Sequence, residues 1–437
     1  RIWYLNDPIE DNPNHSWTDY KRNWESTLVA SLLQPHVSSY EILPWPDRIF
    51  GPSGLRPATE PTAANPKPDR VAISPAYETE LQTVFHALGQ MNQPDTHWQS
   101  AGTQGLGVLV SDTMMFQRAQ PQPSDPDLGS FYGLALPLLM RGLPVEPVQI
   151  ESTYQGKDPA AFLRNYKLLL LTYEGQKPPS PRFHQAISAW VKSGGALVVI
   201  DDDNDPYNRA HDWWNSAQDH LTTPREDLFH QLGIASNAQG LHHFGRGIVL
   251  YAAKSPAALT HDKTGADTVR HLTHQAADAI HLPWREANSL VLQRGPFVIA
   301  AGLDSSSSNT PLPLHGTFIN LFDPHLAVVH DPSIKPGDRA LLLNPTFFPQ
   351  GEPRILAASA KISDAHTSAG QISFSVSSIE GRDADDLTAI RLLLPNAPTG
   401  ITVGGHALQH DAIHYDDNML LLEFPAHATA QKIVIRF

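Results

Sequence analysis

Four uninterrupted apolar runs constrain this chain more than any other feature: Leu106–Val110 (LGVLV), Lys167–Thr172 (KLLLLT), Ala196–Ile200 (ALVVI) and Gly247–Ala252 (GIVLYA). A strand with one wet face alternates apolar and polar residues. A run without alternation must be covered on both faces. Val145–Ile150 adds another strand, and helical patterns fall between the runs. Gly129–Arg141 reads as a helix despite Pro137. Pro181–Ser193 places Phe183, Ile187, Trp190 and Val191 on one face and ends at Gly194-Gly195, a helix stop. Ala266–Ile280 follows the last run. Residues 101–285 are therefore expected to form a doubly wound, mainly parallel sheet with helices on both faces.

The flanks read differently. In residues 1–100, strand-like Arg1–Leu5 precedes a helix whose Trp17, Tyr20, Trp24, Leu28 and Leu32 share one face. Ser16 is its expected N-cap, with Asp19 completing a capping-box pattern. Pro35 ends that helix, Val37–Leu43 is a second strand, 51–70 an excursion loop, and Ala76–Met91 a second helix. This β-α-β-α order suits parallel strands joined by right-handed crossovers. In residues 286–437 period-two alternation takes over. Ile372, Phe374 and Val376 alternate with serine, and Ile433, Ile435 and Phe437 with polar neighbours. Turn signals such as Lys335-Pro336-Gly337-Asp338 separate short strands, the pattern of an antiparallel β-sandwich.

Composition excludes several classes. The 437 residues carry 31 Lys+Arg against 45 Asp+Glu, a net charge of −14, with no basic stripe. Such a chain is a poor partner for nucleic acid or an anionic membrane surface. No window approaches the roughly 18 consecutive apolar residues of a membrane span. With no cysteine, disulfides, zinc–thiolate sites and thiol nucleophiles are excluded. That absence suits a secreted or periplasmic protein and a cytosolic one alike. The 22 histidines lack metal spacing, since adjacent His242 and His243 in a strand point to opposite faces. No H-E-x-x-H, Walker loop, post-strand G-x-G-x-x-G or G-x-S-x-G occurs. No organic cofactor is implied.

The chemistry-bearing residues gather after strands. Asp7, Glu10, Asp11, Asn12 and His15 follow the first; Glu41, Trp45, Asp47 and Arg48 lie at the end of the second. Carboxylates beside tryptophan suit a sugar, whose C–H face stacks on the indole while carboxylates and amides take its hydroxyls. The same residues also fit plain roles: Asp7 a turn before Pro8, Asp47 and Arg48 a surface ion pair worth about 0–1 kcal/mol. Asp201-Asp202-Asp203-Asn204-Asp205 follows ALVVI directly. Oxygens at alternate positions can wrap calcium, but the glycine and closing glutamate of an EF-hand loop are missing. The plainer expectation is an acidic loop capping the next helix. Glu174, beside Gly175, is either a ligand contact or a turn residue.

Three blocks in this order resemble the back part of a clan A glycoside hydrolase, similar in architecture to the family 42 β-galactosidases. The motifs carrying the resemblance are SSYEILPWPDRIF, NYKLLLLTYEGQKPPSPRFHQAISAWVKSGGALVVIDDD and GRGIVLYAA. It implies the C-terminal part of a (β/α) barrel over 1–100, an amidotransferase-like, flavodoxin-fold domain over 101–285, and a β-sandwich over 286–437. It implies a retaining hydrolase acting on carbohydrate, with Glu41 as nucleophile at the end of the seventh barrel strand and RIWYLNDP as the sixth. Asp7, Glu10, Asn12, Trp45, Asp47 and Arg48 would bind the sugar. A homo-oligomer is implied as well. The family's acid/base glutamate follows the fourth strand and would precede Arg1, so a longer parent chain is expected. Where amidotransferases carry a cysteine, this chain reads Asp201-Asp202-Asp203, which removes glutamine hydrolysis by the usual route. A non-catalytic carbohydrate-binding or oligomerisation module is the alternative.

Overall fold

A computed structural model describes residues 3–6, 14–42, 49, 54–114, 124–156, 158–216, 221–304, 308–378, 387–409 and 412–437. The chain divides into two compact units. One holds Ala101–Leu290 and Leu303–Asn309; the other holds Arg1–Ser100, Val291–Gly302 and Thr310–Phe437.

The first unit is the expected doubly wound sheet. Its strands are β1 (Leu106–Val110), β2 (Val145–Gln149), β3 (Leu168–Leu171), β4 (Ala196–Ile200), β5 (Gly240–Phe244) and β6 (Gly247–Ala252). Their spatial order is β2-β1-β3-β4-β6-β5. All neighbours are parallel except the β5–β6 hairpin at one edge. The apolar runs account for this arrangement. Leu168, Leu169, Leu170 and Leu171 are all fully buried, and alternate residues enter two separate cores. Each such leucine contributes about 1.5–3 kcal/mol of burial. On one face lie Phe183, Ile187 and Val191 of the helix Arg182–Lys192. On the other lie Leu134 and Leu138 of Gly129–Leu139, with Val269, Ala276 and Ala277 of Gly265–Ala279. The antiparallel edge strand and the helix Pro224–Leu232 add to the sequence expectation.

In the second unit, Trp3–Asn6 and Ser39–Ile42 pair in parallel across the helix Trp17–Leu32. Ser16 caps that helix as expected, its side chain accepting from the Asp19 N–H, but Asp19 does not complete the capping box, because the Ser16 N–H donates to Glu60 instead. These two strands form a sheet of their own, and no closed barrel occurs among the described residues. The helix packs on Phe297–Gly302 and Arg339–Leu343, while Pro75–Leu88 packs on Arg354–Ala358 and Leu387–Leu393. Thr96–Ser100 joins a six-stranded sheet with Ser289–Arg294, Phe297–Gly302, Arg339–Leu343, Thr317–Asn320 and Val328–His330. The β-sandwich begins at Arg354. A four-stranded and a five-stranded antiparallel sheet face one another across a core of Phe374, Val376, Ile433 and Ile435 against Ile390, Leu392, Leu420 and Leu422.

Candidate functional site

The residues expected to carry chemistry fall at two places. At the first, the parallel register sets Trp3 opposite Ser39, Tyr4 opposite Tyr40, Leu5 opposite Glu41, and Asn6 opposite Ile42. Both strands therefore end on the same side, and Glu41 stands one residue before that end. Its side chain is exposed and has no hydrogen-bond or ion-pair partner among the described residues. Arg294 fixes the connection that delivers this strand. Fully buried, it donates to the Val37 carbonyl at 2.7 Å and contacts the Gln34 carbonyl, while Tyr40 Oη donates to Val37 O at 2.9 Å. Burial pushes the Tyr40 phenol up, opposed by the neighbouring Arg294 guanidinium. Asp7, Glu10, Asn12, Trp45, Asp47 and Arg48 lie outside the described residues, as does Asp11. His15 is described. Its Nδ1 lies 3.2 Å from Glu60 Oε2 and 3.5 Å from Asp19 Oδ2. Glu60 Oε1 accepts the Ser16 N–H at 2.6 Å, and Ser16 holds the Glu60 carboxyl below its ordinary range. Glu60 thus acts as a remote helix cap; it comes from the 51–70 segment that the sequence suggested was only a loop.

The second place is the carboxyl edge of the parallel sheet. Ligands in such sheets sit in the crevice where strand order reverses, here between β1 and β3. Gln176 bridges that crevice. Its Oε1 accepts the Ser111 N–H at 2.7 Å, and its Nε2 donates to the carbonyls of Leu109 and Thr172, both at 3.0 Å. Ser111 Oγ donates to Glu151 Oε1 at 2.7 Å, and Glu151 Oε2 is buried without a partner among the described residues.

The aspartate run after β4 is consumed in the same way. Asp201 accepts from Thr172 Oγ1 at 3.0 Å, Tyr173 N at 2.5 Å, Glu174 N at 3.1 Å and Asp203 N at 2.8 Å. Burial pushes its carboxyl up, opposed by the Asp203 and Tyr173 N–H groups. Asp203 takes the Arg225 guanidinium in a forked pair, with Nε 3.0 and 2.9 Å from its two oxygens. Asp205 caps the turn Pro206–Arg209 through Tyr207 N and accepts the Gly175 N–H at 2.7 Å. It also pairs with Lys177 at 3.1 Å. Lys177 is buried, which pushes its ammonium down against the pull of Asp205. Its other donors reach the carbonyls of Tyr173 and Gln176. Among the described residues these carboxylates hold protein donors. Glu174 likewise caps the helix Pro256–Leu259, accepting from Ser255 Oγ at 2.7 Å and Ala257 N at 3.1 Å.

A buried chain that the sequence did not reveal runs from Tyr173 Oη to His184 Nε2 at 2.7 Å and from His184 Nδ1 to Asp227 Oδ1 at 2.6 Å. Trp213 packs edge-on to the imidazole, 5.0 Å between ring centres. Burial drives the Tyr173 phenol well up and the His184 imidazolium down. The partners lie 11 and 43 residues apart, so spacing alone gives no signal.

No family model matches the sequence, and no curated protein matches it. Among solved structures the chain aligns with glycoside hydrolases. The GH42 β-galactosidase Gan42B of G. stearothermophilus aligns at 10% identity with a TM-score of 0.33, over 55% of this chain and 40% of that one. The β-galactosidase of Bacillus circulans sp. alkalophilus aligns at 13% and 0.28, over 56% and 42%. That of Rahnella sp. R3 aligns at 11% and 0.30, over 55% and 40%. The chain spans about two-fifths of the length of these structures, and the likeness is a distant one.

Proposed function

We propose that this chain belongs to a retaining glycoside hydrolase in which Glu41 is the nucleophile. The observation that carries this reading is the register that sets Glu41 opposite Leu5 near the carboxyl end of a parallel strand pair, with its carboxylate exposed and unpartnered among the described residues. An unpartnered carboxylate at a parallel strand end is placed as barrel enzymes place their reacting groups. In the proposed reaction a Glu41 oxygen attacks the anomeric carbon and the bond to the leaving oxygen breaks. A second carboxyl group about 5–5.5 Å away protonates that oxygen, then takes a proton from the water that releases the sugar. Trp45 would stack on the sugar. Asp7, Glu10, Asn12, Asp47 and Arg48 would hold its hydroxyls.

The flavodoxin-like unit takes a non-catalytic part in this proposal, as a scaffold or oligomer contact. The bridging of its switch-point crevice by Gln176 favours that role. The test is hydrolysis of 2,4-dinitrophenyl glycosides, whose leaving group needs no proton and so bypasses the acid. E41Q should lose about a thousandfold or more of the wild-type rate. A rate near wild type in E41Q overturns the proposal.

A further inference from the structure

The five-stranded sheet of the sandwich turns one face to the core and the other to solvent. Its strands are Lys361–Ser368, Gln371–Ser377, Gln431–Arg436, Gly400–Val403 and His406–Ala407. Ile372, Phe374, Val376, Ile433, Ile435 and Ile401 enter the core. By alternation, Ser373, Ser375, Ser377, Lys432, Val434, Arg436 and Thr402 face outward. The ladder lines them up in rows: Ser373 with Val434 and Thr402, Ser375 with Lys432, Gln371 with Arg436.

Three observations meet on this face. A cavity of about 390 Å³ lies at one end, with Thr399, Thr402, Leu408, Val434 and Arg436 in its wall. The side chains of Lys361, Lys432 and Arg436, and the hydroxyls of Ser373, Ser375 and Ser377, have no hydrogen-bond or ion-pair partner among the described residues. The five strands carry three Lys/Arg and one acid, Asp364, in a chain with 31 Lys+Arg and 45 Asp+Glu. Lys432 and Arg436 stand four residues apart, about 13 Å along a strand, too far for one small anion to bridge.

We propose that this face binds a polysaccharide bearing anionic groups, with Arg436 taking one charge at the cavity and Lys432 the next along the chain. The free serine hydroxyls meet sugar hydroxyls, and Val434 gives an apolar floor for a ring face. Guanidinium pairs with carboxylate and sulfate alike through parallel N–H donors, so the charge comes from a uronate or a sulfate ester. Three cations on a chain of net −14 are few for a nucleic acid, whose binding rests on many phosphate contacts. The proposal is independent of Glu41.

Affinity electrophoresis of the full chain tests it, in gels holding polygalacturonate, a sulfated galactan or an uncharged galactan. The wild type should be retarded by one of the two acidic polymers and not by the neutral one. Which polymer retards it identifies carboxylate or sulfate. The R436Q/K432Q double variant should bind about tenfold more weakly or worse, at an unchanged melting temperature, and E41Q should be retarded like wild type. The inference is overturned by no retardation in either acidic gel. Equal retardation of wild type and double variant, equal retardation by the neutral galactan, or equal retardation by duplex DNA overturns it as well.

Discussion

Lys177 and Asp205 form a buried ion pair, 3.1 Å from ammonium to carboxylate, across the carboxyl edge of the parallel sheet. Each is saturated by other groups: Lys177 donates to two carbonyls, and Asp205 accepts two backbone N–H groups. The edge where a flavodoxin-like sheet ordinarily receives a ligand is here cross-tied by its own side chains. Lys177→Ala removes the ammonium and leaves the buried Asp205 charge held by backbone N–H groups without this counter-charge. The expected loss is about 3–5 kcal/mol, read from urea unfolding. A loss under about 1 kcal/mol contradicts the tie.

Asp201, Asp203 and Asp205 spend their oxygens on Thr172, Tyr173, Glu174, Arg225, Gly175 and Lys177. Calcium at about 5 mM should therefore act equally on the melting temperatures of wild type and Asp201→Asn, because an ion held by this loop would raise that of the wild type alone. A calcium-dependent rise that Asp201→Asn abolishes contradicts this.

Much of this was legible from sequence, and the rest was not for a physical reason. LGVLV, ALVVI and GIVLYA became strands over the expected residues because complete burial leaves no alternation to misread. Ser16 capped its helix because that bond is local. The aspartates were ambiguous because their donors are remote. Arg225 lies 22 residues from Asp203, and Lys177 precedes Asp205 by 28. Thr96–Ser100 (THWQS) gave no strand signal, since its partner Ser289–Arg294 lies nearly two hundred residues on. Gly240–Phe244 was missed because an edge strand is only half covered. Of the residues proposed to bind sugar, only Glu41 lies among the described residues; its strand and parallel partner were legible from the β-α-β order, and the structure adds their register.

Glu80 is buried between the helices Trp17–Leu32 and Pro75–Leu88, facing Lys21, Glu25 and Tyr77; Arg339 pairs with Glu25 at 2.6 Å. Burial first, and the Glu25 charge after it, push its carboxyl up to about 8 against the pull of Lys21. The folded-state value lies above the unfolded one, so the folded protein keeps a proton that the unfolded chain releases. This contribution is complete below the unfolded pKa of about 4.5 and is lost as pH rises toward 8, at up to about 1.4 kcal/mol per pH unit. Urea midpoints followed by tryptophan fluorescence should fall across that window in wild type and fall less in Glu80→Gln. Equal slopes in the two proteins contradict the assignment.

Glu41 carries the functional claim, and covalent capture tests it most directly. The protein is incubated with a set of 2,4-dinitrophenyl 2-deoxy-2-fluoroglycosides, which form the glycosyl-enzyme readily and release it slowly. Its mass is then measured intact and after proteolysis. The account predicts a single fluoroglycosyl adduct on the peptide containing Glu41, absent in E41Q. An adduct on another carboxylate, with Glu41 unmodified, contradicts it.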